Sequence, residues 1–161
     1  MELGNIIFGA IILTICIGPL VIMYYRSVNT NRKMLQSLKE IAQQYNCNID
    51  KHEFCNNSVI GLDKQNKHVF FFKKKEGASV SQFVNLSEIQ DCKAIKRTNA
   101  TTFKNEDVTL FEKIELKFIP INKNKGEISF ELYGPENRQV NGELQMADRW
   151  SAQIAEHIKS K

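Results

Sequence analysis

The chain opens with an uninterrupted apolar segment. Residues 6–25, IIFGAIILTICIGPLVIMYY, carry no charged side chain. An α-helix rises about 1.5 Å per residue, so a helix of this length reaches roughly 30 Å, the thickness of the hydrocarbon core of a bilayer. We therefore predict a transmembrane anchor over residues 1–26, with Gly18 and Pro19 inside the span, where membrane helices tolerate them.

Two alternatives to an anchor fit the sequence less well. A cleaved secretory signal carries positive charge before its apolar region and a small-residue cleavage site after it. Here Glu2 lies at the amino end, and Tyr24, Tyr25 and Arg26 lie at the far end. The second alternative is a buried helix of a soluble core, but a run of this length without a polar stripe has no face to present to water.

Positively charged residues follow the span closely and predict its orientation. Short flanks rich in lysine and arginine remain on the cytoplasmic side of a membrane. We therefore expect a single-pass protein of the cell membrane, with its amino terminus outside and its C-terminal domain in the cytoplasm. The cations behind this prediction are Arg26, Arg32, Lys33 and Lys39.

A second helical pattern occupies residues 27–46, the juxtamembrane segment. Its apolar residues recur at intervals of three and four, which places them on one face of a helix. This stripe can pack on the domain that follows, lie in the membrane interface, or pair with a second copy of the chain. Its members are Met34, Leu35, Leu38, Ile41, Ala42 and Tyr45.

Residues 48–134 change to the alternation of apolar and polar positions that is typical of β-strands. The pattern predicts about six or seven antiparallel strands, beginning with a hairpin whose polar turn covers residues 63–67. A polar loop is expected at residues 99–107, NATTFKNED. The segments interpreted as strands are SVIGLDKQNKHVFFFKK (the hairpin), SVSQFVNL, SEIQDCKAIKRT, DVTLFEKIELKFIP and EISFELYG.

The last segment, MADRWSAQIAEHIK, predicts an amphipathic helix. Met146, Trp150, Ile154 and Ile158 recur every four residues and therefore share one face. A set of strands with one apolar face must close on itself or be covered. We expect this helix to supply the cover, with Trp150, Ile154 and Ile158 as packing residues.

An antiparallel meander that ends in an amphipathic helix with a tryptophan, ADRWSAQI, resembles the pleckstrin homology superfold. The hairpin GLDKQNKHVFFF followed by VNLSEIQDCKAI is similar to bacterial relatives of that fold, and the resemblance covers roughly residues 50–159. It implies a strongly bent antiparallel barrel of six or seven strands with Trp150 filling one end. The expected fold class is therefore α+β, mostly β, with a PH-like domain over residues 47–161.

Composition narrows the class of protein. The 161 residues, 42% of them hydrophobic, suffice for one core plus an appendage. Lysine and arginine number 22 against 18 acidic residues, a balance that lacks the dense basic stripe of a nucleic-acid binder. The four cysteines show no spacing typical of a disulfide framework, and one of them lies in the apolar run. This favours free thiols in a reducing compartment.

The sequence shows no catalytic constellation, so we expect a protein that is not an enzyme, without a cofactor or small-molecule substrate. The three histidines are scattered, and no phosphate-binding glycine loop or nucleophile motif occurs. Cys47, His52, Cys55 and Cys92 offer ligands that zinc prefers, but their spacing fits no standard finger. We therefore predict no metal.

The hairpin lysines are the candidate binding residues. Lys64 and Lys67 lie in its turn, and Lys73, Lys74 and Lys75 end its second strand. Phosphoinositide-binding members of the resembled family carry an arginine among the cations of this hairpin. The hairpin here contains lysines but no arginine. Two interpretations stay open: attraction to an anionic leaflet, and a solvated charged run that guards a sheet edge.

Together these patterns predict a membrane-tethered, non-enzymatic interaction module that presents a PH-like domain to a protein partner at the cytoplasmic face. The alternative is a domain that senses anionic lipid through the hairpin lysines. Homo-oligomerisation through the membrane helix and the juxtamembrane stripe can accompany either function.

Overall fold

A computed structural model describes residues 2–75, 77–103, 106–122, 124–137 and 139–160. The chain is α+β, with a long N-terminal helix, two antiparallel sheets and a C-terminal helix. A short 3-10 turn, Leu86–Glu88, precedes the fifth strand. The elements are α1 (Glu2–Gln44), β1 (Lys51–Cys55), β2 (Ser58–Asp63), β3 (His68–Lys75), β4 (Ala78–Asn85), β5 (Ile89–Phe103), β6 (Glu106–Pro120), β7 (Ile128–Tyr133) and α2 (Glu143–Lys159).

The apolar segment and the juxtamembrane segment form one continuous helix, α1, with Pro19 inside it. Within the described residues, α1 is the one helix long and apolar enough to cross a membrane, and none of its apolar window is buried in the domain. The helix ends where Asn46 adopts a positive φ of 54°. The Cys47 N–H then donates to the Ala42 carbonyl oxygen over 2.9 Å, which satisfies an otherwise free helix-end acceptor.

The strands form two sheets, in the orders β1-β2-β3-β4 and β5-β6-β7, with every neighbouring pair antiparallel. The predicted hairpin is confirmed, because β2 and β3 pair from Ser58↔Lys73 to Asp63↔His68 around the polar turn. Among the described residues no ladder joins the two sheets, so the expected closed barrel is not confirmed.

The prediction of a loop at residues 99–107 was wrong. The strands β5 and β6 pair through it, from Ala100↔Thr109 to Phe103↔Glu106, and residues 104 and 105 lie outside the described residues. Strand β7 pairs with β6 only between Ile114 and Phe118, so the outer half is a two-stranded ribbon. Polarity alone does not distinguish a loop from such a ribbon, whereas the threonines of this segment favour strands.

The two sheets and α2 enclose the main core. Phe71 of β3 stacks on Phe130 of β7 with ring centroids 5.1 Å apart, which joins the sheets face to face. From α2, Trp150 (1% exposed) and Ile154 are buried in this cluster, and Ile158 packs at its margin. The four-residue spacing thus becomes one buried helix face.

A second cluster covers the opposite face of the four-stranded sheet. Met34, Leu38 and Ala42 of α1 are buried against Val59 and Phe70 of the sheet. The juxtamembrane stripe therefore packs on its own domain, which is the first of its three predicted alternatives. Strand β2 is consequently buried on both faces along its whole length.

This docking depends on a glycine. Gly61 lies on the outer face of β2, and a Cβ built there would meet the Leu38 Cδ2 at 2.8 Å and the Ile49 Cγ2 at 3.0 Å. Both distances are shorter than ordinary contacts, so a side chain at position 61 would have to displace the Leu38 and Ile49 side chains from their present positions.

Replacing Gly61 tests the docking. We expect Gly61→Val to push Leu38 away and to cost about 1–3 kcal/mol of unfolding free energy, the usual cost of overpacking. Urea unfolding of the detergent-solubilised chain measures this. Gly126→Val is the control, because a side chain there meets open space. Equal stabilities of the two variants would contradict the assignment.

Candidate functional site

The structure places the five hairpin lysines at two distant ends of one hairpin. Lys64 and Lys67 lie in the β2–β3 turn, beside the end of α1, where the Lys64 N–H donates to Asp50 over 2.8 Å. Lys74 and Lys75 lie at the other end of β3, beside residues 29–37 of α1. Along the helix these levels differ by roughly 20 Å at about 1.5 Å per residue, so the five cations do not converge.

The β2–β3 turn is held by a buried carboxylate. Asp63 accepts from the Asn48 N–H and from the Asn66 N–H and Nδ2, each over 2.8 Å. Burial opposes its ionisation, but these hydrogen bonds outweigh burial and keep the pKa of Asp63 below its usual value. Asp63 therefore fixes the turn and the chain that enters β1.

Lys73 lies inside the molecule, with 1% of its side chain exposed. Its Nζ pairs with Glu131 and Glu136, each at 3.2 Å, and donates to the Asn137 Oδ1 at 3.5 Å. A buried ammonium needs such partners, since desolvation without them costs several kcal/mol. Lys73 thus ties β3 to β7 and the following loop, and it faces no solvent ligand.

A sequence signal for this burial exists. Val69, Phe71 and Lys73 alternate along β3, so the lysine shares the inward face with two core residues. Its carboxylate partners lie 58 and 63 positions further on, beyond the reach of any local pattern.

Lys75 and Glu136 complete this ion network. Lys75 Nζ lies 2.9 Å from Glu136 and 3.4 Å from Glu131. The hydrogen bond with Glu136 raises the pKa of Lys75, and the same bond lowers the pKa of Glu136. Both groups are therefore charged across the neutral range.

A cleft lies between α1 and the β3–β4 hairpin, and we name it the juxtamembrane cleft. Its volume is about 530 Å³. Lys33 and Lys74 reach it with exposed side chains, and Met34 and Phe72 form its apolar floor. A second, polar cleft of about 870 Å³ lies on the other side of Lys74 and Lys75, against the loop before α2.

Strand β4 is an edge of the four-stranded sheet, and its only backbone partner among the described residues is β3. Its sequence, ASVSQFVN, contains no charge and no proline, the two usual guards of an edge. Each of the other three edge strands carries at least one charge. Phe83 on β4 is 37% exposed and packs on Tyr45, with ring centroids 4.1 Å apart.

Trp150 is polar at one end only. Its Nε1 donates to Glu53 over 2.7 Å, and the Lys51 Nζ lies 5.9 Å from the ring centre. Arg149 also pairs with Glu53. These contacts join α2 to β1 and give the indole a partner for its single donor.

Cys16 is exposed on α1, and the other three cysteines lie in two separate clusters. Cys47 packs in the outer cluster, whereas Cys55 and Cys92 lie in the main core. Burial raises the pKa of both core thiols to about 12, so they stay protonated. In the part of the chain that the structure describes, no three His, Cys, Asp or Glu side chains are placed to hold a metal ion.

Comparison of this chain with protein-family models, with curated proteins and with solved structures gives no match. The geometry therefore defines only a broad class: a two-sheet α+β domain docked on a helix of membrane-spanning length.

Glu136→Gln tests the ion network through pH. Because the folded pKa of Glu136 is below its ordinary 4.5, the unfolded chain binds this proton more readily. The stabilisation is complete above that ordinary value and is lost as pH falls through the folded pKa. We expect the variant to be less stable than wild type at about pH 7 and closer to it at about pH 3, in urea unfolding.

Glu127→Gln is the control, since Glu127 pairs with Lys117 at an exposed site. A deficit of Glu136→Gln that stayed the same at both pH values would rule out the charged pair as its cause.

Proposed function

We propose that this chain is a single-pass, membrane-anchored, non-enzymatic interaction module, with its two-sheet domain in the cytoplasm. The observation that carries the proposal is the docking of α1 through Leu38 on Gly61. One continuous helix thus runs from the proposed span to the sheet, so the domain follows the bilayer surface directly.

We propose further that the domain is PH-like and bends towards a barrel. The order of a four-stranded sheet, a three-stranded sheet and a closing helix supports this. So does Trp150, which α2 inserts between elements of both sheets.

A protein partner fits the edge of β4 best. An unguarded edge offers a row of backbone donors and acceptors to an extended peptide, which then adds a further strand. Around Phe83 and Tyr45 the edge also offers exposed aromatic surface, the kind of side chain that anchors interfaces. The lack of charge on β4 favours an extended segment of low charge as the occupant.

Cross-linking from β4 tests the partner surface. We expect a photoreactive phenylalanine analogue at Phe83 of the full-length chain, in the membranes of its own cells, to give one discrete adduct. Adding Ser81→Lys should abolish that adduct, because a charge on an edge strand opposes pairing. Gel mobility of the tagged chain is the measurement.

The same analogue at Ile121 is the control, because Ile121 is 52% exposed outside β4. Equal adducts at both positions, or an adduct that survives Ser81→Lys, would overturn the edge assignment. An adduct of twice the chain mass would identify the occupant as a second copy.

The orientation has a separate test. The cations after the span predict a cytoplasmic domain, so a reporter fused after Lys161 that functions only in the cytoplasm should be active. Activity of an exported reporter at the same position would reverse the orientation.

A further inference from the structure

With α1 spanning the bilayer as proposed, the near end of the juxtamembrane cleft lies at the level of the lipid headgroups. Tyr25 ends the apolar segment, and Asn29 and Lys33 line the cleft on the same continuous helix. At about 1.5 Å per residue they lie roughly 6 and 12 Å beyond Tyr25, whereas a headgroup layer is about 5–8 Å thick. A ligand in the cleft is therefore within reach of the adjoining leaflet.

The described charged residues that line the cleft are all basic. Lys33, Lys74 and Lys75 line it, and no described carboxylate does. Lys75 is already paired with Glu136 and Glu131, which leaves Lys33 and Lys74 as the cations directed at a ligand. Glu76 lies outside the described residues.

The lining suits a phosphate group attached to an apolar body. Polar side chains of Asn29, Ser37 and Ser79 stand beside the two lysines, and they supply hydrogen-bonding groups to phosphate oxygens and glycerol hydroxyls. Met34 and Phe72 offer apolar surface below them. About 530 Å³ is enough for a glycerophosphate headgroup.

We propose that this cleft binds the phosphate headgroup of an anionic lipid from the adjoining leaflet, through Lys33 and Lys74. The docked α1 brings the two lysines together from segments 41 positions apart in the sequence. This inference shares only the membrane anchorage of α1 with the proposed function, because the β4 edge needs no lipid.

Hydrogen exchange of the full-length chain in nanodiscs tests the cleft. We expect residues 29–37 and 74–79 to be more protected in phosphatidylglycerol discs than in phosphatidylcholine discs. One cation near an anionic surface contributes roughly a five-fold factor in affinity. Lys33→Gln combined with Lys74→Gln should therefore lower the affinity for phosphatidylglycerol about 25-fold, which is measured as a loss of this protection.

The matched control is Lys64→Gln with Lys67→Gln, which removes the same charge at the far end of the hairpin. It should leave the protection unchanged. Equal protection in both kinds of disc, or equal loss in both double variants, would overturn the site and leave only general attraction to the membrane.

Glycerol 3-phosphate added to phosphatidylcholine discs distinguishes the source of the phosphate. Weak or no protection by this soluble probe supports a lipid. Protection as strong as that by phosphatidylglycerol would overturn the lipid assignment in favour of a free or peptide-borne phosphate. A chain that is not retained in the discs at all would refute the anchor itself, whereas loss of the β4 adduct would leave this result untouched.

Discussion

The close approach of Leu38 to the backbone of Gly61 is the contact on which the arrangement of the molecule depends. It allows α1 to lie flat on the outer face of the four-stranded sheet, where it covers Val59 and Phe70. Burial of this apolar face contributes stability that the domain without α1 would lack. The C-terminal half of α1 and the four-stranded sheet therefore share one hydrophobic cluster.

Docking also determines which part of the domain lies nearest the apolar segment of α1. Because α1 is continuous, the end of β3 near Lys74 lies on that side, and the β2–β3 turn lies about four helical turns further away. Two kinds of contact fill the space between the two sheets. Charged pairs around Lys73 close the gap between the sheets, whereas apolar residues of α2 fill the main core.

Local patterns in the sequence were enough to predict much of the fold. Periodicity identified α2 and the docked part of α1, since each buries one regular face, and an uncharged run identified the rest of α1. Two apolar runs around a polar turn identified the β2–β3 hairpin. The polar segment at residues 99–107 was misinterpreted, because a two-stranded ribbon needs no apolar alternation.

The candidate site was only partly predictable. The lysines were visible as a run, and the alternation along β3 places Lys73 on the inward face and Lys74 on the outward face, but no local pattern shows which groups these two lysines contact. Glu131 and Glu136 are remote in sequence, as is Lys33 on the other wall of the juxtamembrane cleft. Tertiary packing alone brings these residues together.

The buried position of Lys73 has a consequence for how this sequence can diverge. Loss of the ammonium alone leaves Lys75 as the one described lysine that Glu131 and Glu136 share, and loss of the carboxylates alone leaves a buried ammonium without an anionic partner. Substitutions at these three positions are therefore tolerated best when they occur together. A distant homologue with an apolar residue at position 73 should carry neutral residues at positions 131 and 136. This correlation can help to align homologues whose sequence identity is too low for alignment by identity alone.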